Sequence, residues 1–173
     1  MTEPVVQLDD FGLTDLHVHW EPADQGASEI ATKLNVGYVV HHLTSDPTHY
    51  RLRLTIKDRR FAPGGDSFAN VQATILGFFT FPSSTEPAER EKRIRLNGLT
   101  MLYGALRGAL ATVAGVFPPG FRYVLPTVNM LDVIKTVETK RAKAAMARSN
   151  TTGVPSLPNA IPRVRAARPR KSA

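Results

Sequence analysis

Leu99 to Met130 reads LTMLYGALRGALATVAGVFPPGFRYVLPTVNM, an amphipathic helix that runs into an aromatic, proline-studded loop. Leu99, Leu102, Tyr103, Leu106, Leu110 and Val113 recur at helical spacing and form one branched and aromatic stripe that needs an apolar cover. The remaining side carries Gly104, Gly108, Ala111, Thr112 and Gly115. Exposed glycines cost helix propensity but let another backbone come very close, so this face predicts tight helix packing, within the chain or between subunits. Phe117, Pro118, Pro119, Gly120, Phe121, Arg122, Tyr123, Val124, Leu125 and Pro126 then form a loop whose prolines stop the helix and hold the rings in extended backbone. The stretch contains almost no catalytic chemistry, which points to a binding surface and not to an active site.

Upstream the period changes from helix to strand. Leu13 to Trp20 alternates, with Leu16, Val18 and Trp20 on one side and Asp15, His17 and His19 on the other. A second extended run lies between Ala27 and Leu43, and the turn formers Ser45, Asp46 and Pro47 follow it. From Tyr50 to Arg60, Leu52, Leu54 and Ile56 alternate strictly with Arg51, Arg53, Thr55, Lys57 and Arg59, so one face meets a core and the other meets water. Ala62 to Asp66 makes a turn, and Phe68 to Phe81 reads as a fourth strand. Successive hairpins imply an antiparallel sheet. Pro82 to Pro87 is a linker, and the long helix starts near Pro87 or Ala88, with Glu86, Glu89 and Glu91 at its positive end. A second helix is expected from Met130 to about Arg148, with Met130, Leu131, Ile134 and Val137 as its apolar face. Four strands followed by two helices give an α+β domain with the helices on one side of a four-stranded antiparallel sheet.

The 173 residues fit one domain, residues 1–148, followed by a tail, residues 149–173. The net charge of +7 is unevenly spread. Nine Lys or Arg and no acid fall between Lys140 and Ala173, leaving 13 bases against all 15 acids in residues 1–139, a net of −2. Ser149 to Ala173 holds four prolines, five basic residues and few large apolar groups, which reads as a disordered basic tail. A body near neutrality with a basic tail differs from a basic domain that offers a shaped surface for phosphates.

The chain has no cysteine, which excludes disulfides and thiolate metal sites and makes the cytoplasm the expected compartment. MTEPVVQLDD has neither the positive start nor the apolar run of a secretion signal. Leu99 to Phe117 is nearly long enough to span a bilayer, but Arg107 near its middle costs about 2.5 to 3.5 kcal/mol there, so no membrane span is expected.

This organisation resembles the SecB family of export chaperones across roughly residues 9–138. The most specific part is local: Tyr103, then Gly115, Phe117 and Pro118, then Leu125, Pro126, Val128 and Asn129 are similar to the family's tyrosine-bearing helix, its GxFP exit and its leucine-proline-valine-asparagine entry to the last helix. Ala105, Leu106 and Gly108 replace the charged residues usual in that helix. The resemblance implies an ATP-independent chaperone, a dimer of dimers, that holds non-native polypeptides in apolar grooves, for export or for protection of a dedicated client, and needs no cofactor or catalyst. Family members that deliver clients to the SecA motor carry an acidic sheet surface. The cations Arg51, Arg53, Lys57 and Arg59 here argue against SecA docking and for a dedicated client, such as the antitoxin of a toxin–antitoxin module.

For a client groove the sequence offers Trp20, Phe78, Phe79, Phe81, Tyr103, Phe117, Phe121, Tyr123 and Leu125, with Phe121 and Tyr123 favoured because they lie in a loop. Adjacent Phe78 and Phe79 must face opposite sides of their strand. For the tetramer contact it offers Gly104, Gly108, Ala111, Thr112 and Gly115.

Other chemistries lack support. His17, His19 and Asp15 have no third convincing partner for a metal, and His41, His42 and His49 flank a turn. No nucleophile–histidine–carboxylate motif and no phosphate loop occur, so an enzyme is not expected. The alternative reading is a nucleic-acid-associated adaptor acting through Arg163, Arg165, Arg168, Arg170 and Lys171 of the tail.

Overall fold

The computed structural model describes residues 6–21, 31–62, 67–116 and 123–151. Four strands, β1 (Gln7–Trp20), β2 (Ala31–His42), β3 (His49–Phe61) and β4 (Ser67–Thr80), precede the helices α1 (Pro87–Arg93), α2 (Leu99–Ala114) and α3 (Met130–Thr151). A π-helical turn, Ile94–Gly98, joins α1 to α2. The expected elements are all present, and α3 runs three residues past the expected start of the tail. The rest of that tail lies outside the described residues.

Every strand pair is antiparallel, but the order across the sheet is β1-β4-β3-β2. Consecutive hairpins alone would have put β1 beside β2. The first strand instead crosses over to pair with the fourth, leaving β1 and β2 as the two edges. β1 also starts well before Leu13, because register shifts between Leu8 and Asp10 and between Leu13 and Asp15 break its alternation into separate frames.

The core forms where two periodicities meet. Leu52, Leu54 and Ile56 of β3 and Val71, Ala73, Ile75 and Phe79 of β4 are buried on one sheet face, and Leu99, Leu102, Leu106 and Leu110 of α2 cover them. Gly77 lets α2 approach: a Cβ there would stand 2.8 Å from Leu102 Cδ1. At the start of the helices Arg90 is buried and donates to the carbonyls of Pro47, at 3.0 Å, and Ser83, at 2.9 Å. It thus ties the β2–β3 turn and the linker to α1. No helix among the described residues is long and apolar enough to cross a membrane.

Candidate functional site

In the described part of the loop between α2 and α3, residues 123–129, two side chains enter the core. Tyr123 and Leu125 are buried, and the Tyr123 hydroxyl donates to Asp58 Oδ2 at 2.9 Å. Arg60 spans the same corner, with its guanidinium 4.6 Å from the Tyr123 ring centre and a 2.7 Å hydrogen bond to the Val124 carbonyl. The Tyr103 hydroxyl donates to the Pro126 carbonyl at 2.6 Å, and burial pushes its pKa up to about 12. Burial and the neighbouring Asp58 carboxylate raise the Tyr123 phenol still further.

The seven described members of the nine aromatic and apolar positions expected to line a client groove do not converge on one surface. Phe79, Phe81, Tyr103, Tyr123 and Leu125 are core, because strand alternation and the helical stripe both direct them inward. Trp20 is half-buried against that core. Phe78 is exposed on the opposite sheet face, as adjacency to Phe79 requires. Phe117 and Phe121 lie outside the described residues.

A cleft the sequence did not reveal opens between the edge strand β2 and α3. Its larger part, about 520 Å³, is lined by Val36, Gly37 and Tyr38 from β2 and by Val137, Arg141 and Ala144 from α3. A second part, about 320 Å³, adds Leu34, Val128, Val133 and Thr136. The two share Val36 and Lys140. Arg141 lies 4.9 Å above the Tyr38 ring and donates to the Tyr38 backbone carbonyl on the open edge of β2. Burial, reinforced by Glu138, raises the Tyr38 phenol. Val133, Ile134 and Val137 give α3 an apolar face, and all three stay only partly buried.

The small-residue face of α2 points away from the sheet. Gly104, Gly108, Ala111, Thr112 and Gly115 are exposed, and a Cβ at Gly104 or Gly108 would meet nothing within 4 Å. Exposed Met101 on α2 and Phe11 and Leu13 on β1 add apolar surface on the same helix-bearing half of the molecule.

Three of the five histidines form local surface pairs: His17 with Asp15 at 3.1 Å, His19 with Glu21 at 3.2 Å and His49 with Asp46 at 2.9 Å. Among the described residues no three His, Cys, Asp or Glu side chains group as metal ligands.

No protein-family model matches the sequence, and no curated protein matches it. Among solved structures the chain is similar to the Mycobacterium tuberculosis SecB-like chaperone Rv1957, seen in complex with a ChAD peptide from the antitoxin HigA1. The likeness has a TM-score of 0.55 at 17% identity and covers 72% of this chain and 93% of that one. What the two share is a fold: a four-stranded antiparallel sheet followed by two helices.

Proposed function

We propose that this protein is a cytoplasmic SecB-like chaperone that holds non-native polypeptides without ATP, and that it serves a dedicated, aggregation-prone client of the antitoxin kind. The observation that carries this reading is the open apolar cleft along the edge of β2, on a fold shared with a chaperone seen with a bound antitoxin peptide.

An edge strand presents unpaired N–H and C=O groups that an extended chain can match, and neighbouring pockets take alternate side chains. Here the pockets are walled by Val36, Val128, Val133 and Val137. Burying about 500 Å² of apolar surface is worth roughly 12 kcal/mol gross, much of it cancelled by ordering the client. The small remainder makes holding reversible, and no catalytic step is needed. Assembly through the small-residue face of α2, as a dimer of dimers, multiplies the clefts and supplies avidity.

The test is suppression of aggregation. Purified protein at stoichiometric ratio slows light scattering by a chemically unfolded client, and Val36→Glu, which charges both parts of the cleft, abolishes that effect while circular dichroism stays unchanged. If the unsubstituted protein neither slows aggregation nor binds extended apolar peptides, the reading fails.

A further inference from the structure

The sheet face turned away from α2 carries a row of cations that form no ion pair among the described residues. Arg51, Arg53, Lys57 and Arg59 are exposed and alternate with the buried Leu52, Leu54, Ile56 and Asp58, so all four project to the same side of β3. Lys33 of β2 stands in register with Arg59. Among the described residues none of these five enters an ion pair; the arginines that do are Arg60, Arg93 and Arg95. Like charges directly opposite one another on a sheet repel. The chain has 15 acids available but sets none beside this row on β2, β3 or β4 of that face.

Apolar groups alternate with the charges. Arg51 is the register partner of Phe78 and Arg53 of Leu76. Two clefts of about 250 and 430 Å³ on this face share His41 and Arg51, and so run into each other. Leu76 lines the first, and Phe78 and Leu43 line the second. Phe78 is 41% exposed and Leu43 46%. No carboxylate lines either cleft.

We infer that this trough docks an extended acidic polypeptide segment that carries apolar side chains, each carboxylate meeting Arg51 or Arg53 while a neighbouring ring or branched chain settles on Phe78 and Leu43. The occupant is polypeptide and not nucleic acid. A single-stranded nucleic acid needs successive aromatic platforms, and Phe78 is the one Phe, Tyr or Trp ring largely exposed on this face among the described residues. The site lies on the other side of the sheet from α2 and shares Arg53 with the larger β2–α3 cleft, while Arg51 and Phe78, the residues substituted in its test, line neither part of that cleft.

The experiment is fluorescence anisotropy on the full chain with three labelled probes at one salt concentration. The probes are a decapeptide alternating Glu or Asp with Phe and Leu, the same peptide with Lys for every acid, and a twenty-nucleotide oligothymidine. The acidic peptide binds and the lysine peptide does not; Arg51→Glu and Phe78→Ser, both surface changes, each weaken the acidic peptide at least tenfold with unchanged circular dichroism. No binding of the acidic peptide overturns the inference, and so does binding that survives both substitutions, since the basic C-terminal region would then be the receptor. Tighter binding of oligothymidine than of the acidic peptide, lost on Arg51→Glu, overturns it in favour of nucleic acid.

Discussion

Asp58 occupies a position that strand alternation reserves for apolar side chains, beside Leu54 and Ile56, and it is 1% exposed. A carboxylate there survives because one group distant in sequence and one close by reach it. The Tyr123 hydroxyl donates at 2.9 Å, and Arg60 Nε lies 3.4 Å from the same oxygen. The other oxygen, Oδ1, has no hydrogen-bond partner among the described residues. The 2.9 Å bond therefore joins the corner of the sheet to the loop that leads into α3. Tyr123→Phe leaves the carboxylate buried with one long contact, and the expected loss is about 1 to 3 kcal/mol in urea unfolding. Asp58→Leu combined with Tyr123→Phe removes both halves of the pair, so the double variant loses less than the sum of the two single losses. Additive losses would mean that the two side chains do not act on each other.

At the scale of elements, α2 reads differently on its two sides. Its inward stripe was legible from spacing alone, since Leu99, Leu102, Leu106 and Leu110 are all buried against the sheet. Its outward side was legible as open, but only in composition. Gly108 illustrates the test: it is exposed with clear space around it, so Gly108→Glu leaves the protomer's own packing untouched. If copies assemble through this face, the charge breaks the contact, and light scattering coupled to gel filtration shows the mass falling from a multiple of 19.0 kDa to a smaller one. An unchanged mass would move the assembly surface elsewhere. β3 and β4 were legible because strict alternation carries one bit per residue. β1 was legible only from Leu13 onward, since its bulges reset the frame. The crossover of β1 to β4 and the pull of Tyr123 into the core were hidden for a shared reason. Each is fixed by a partner far along the chain, Asp58 lying 65 residues from Tyr123, and no local pattern encodes such a pairing. The β2–α3 cleft was hidden likewise, because a cleft is what two elements leave uncovered.

Across the whole molecule, the four tyrosines report on one body. Tyr38 and Tyr50 line the β2 and β3 side, Tyr103 sits on α2 and Tyr123 on the returning loop, and burial is the main cause that raises each phenol above its ordinary value of 10.0. Burial favours the neutral phenol in the folded chain, while the unfolded chain releases the proton near pH 10. The stabilisation is therefore intact below about pH 10 and is lost as pH rises toward and through the folded values, with Tyr103 at about 12. Phenolate absorbance at 295 nm should rise at higher pH in native protein than in the unfolded chain, and the share that belongs to Tyr103 and Tyr123 should appear only together with loss of the circular dichroism signal. The same titration in concentrated denaturant should show all four groups ionising near pH 10. A native titration that released all four phenols near pH 10 without unfolding would show that the contact joining α2, the returning loop and the sheet opens in solution. The core assignment of Tyr103 and Tyr123 would fall with it, and those rings would return to the set of surfaces a client can reach.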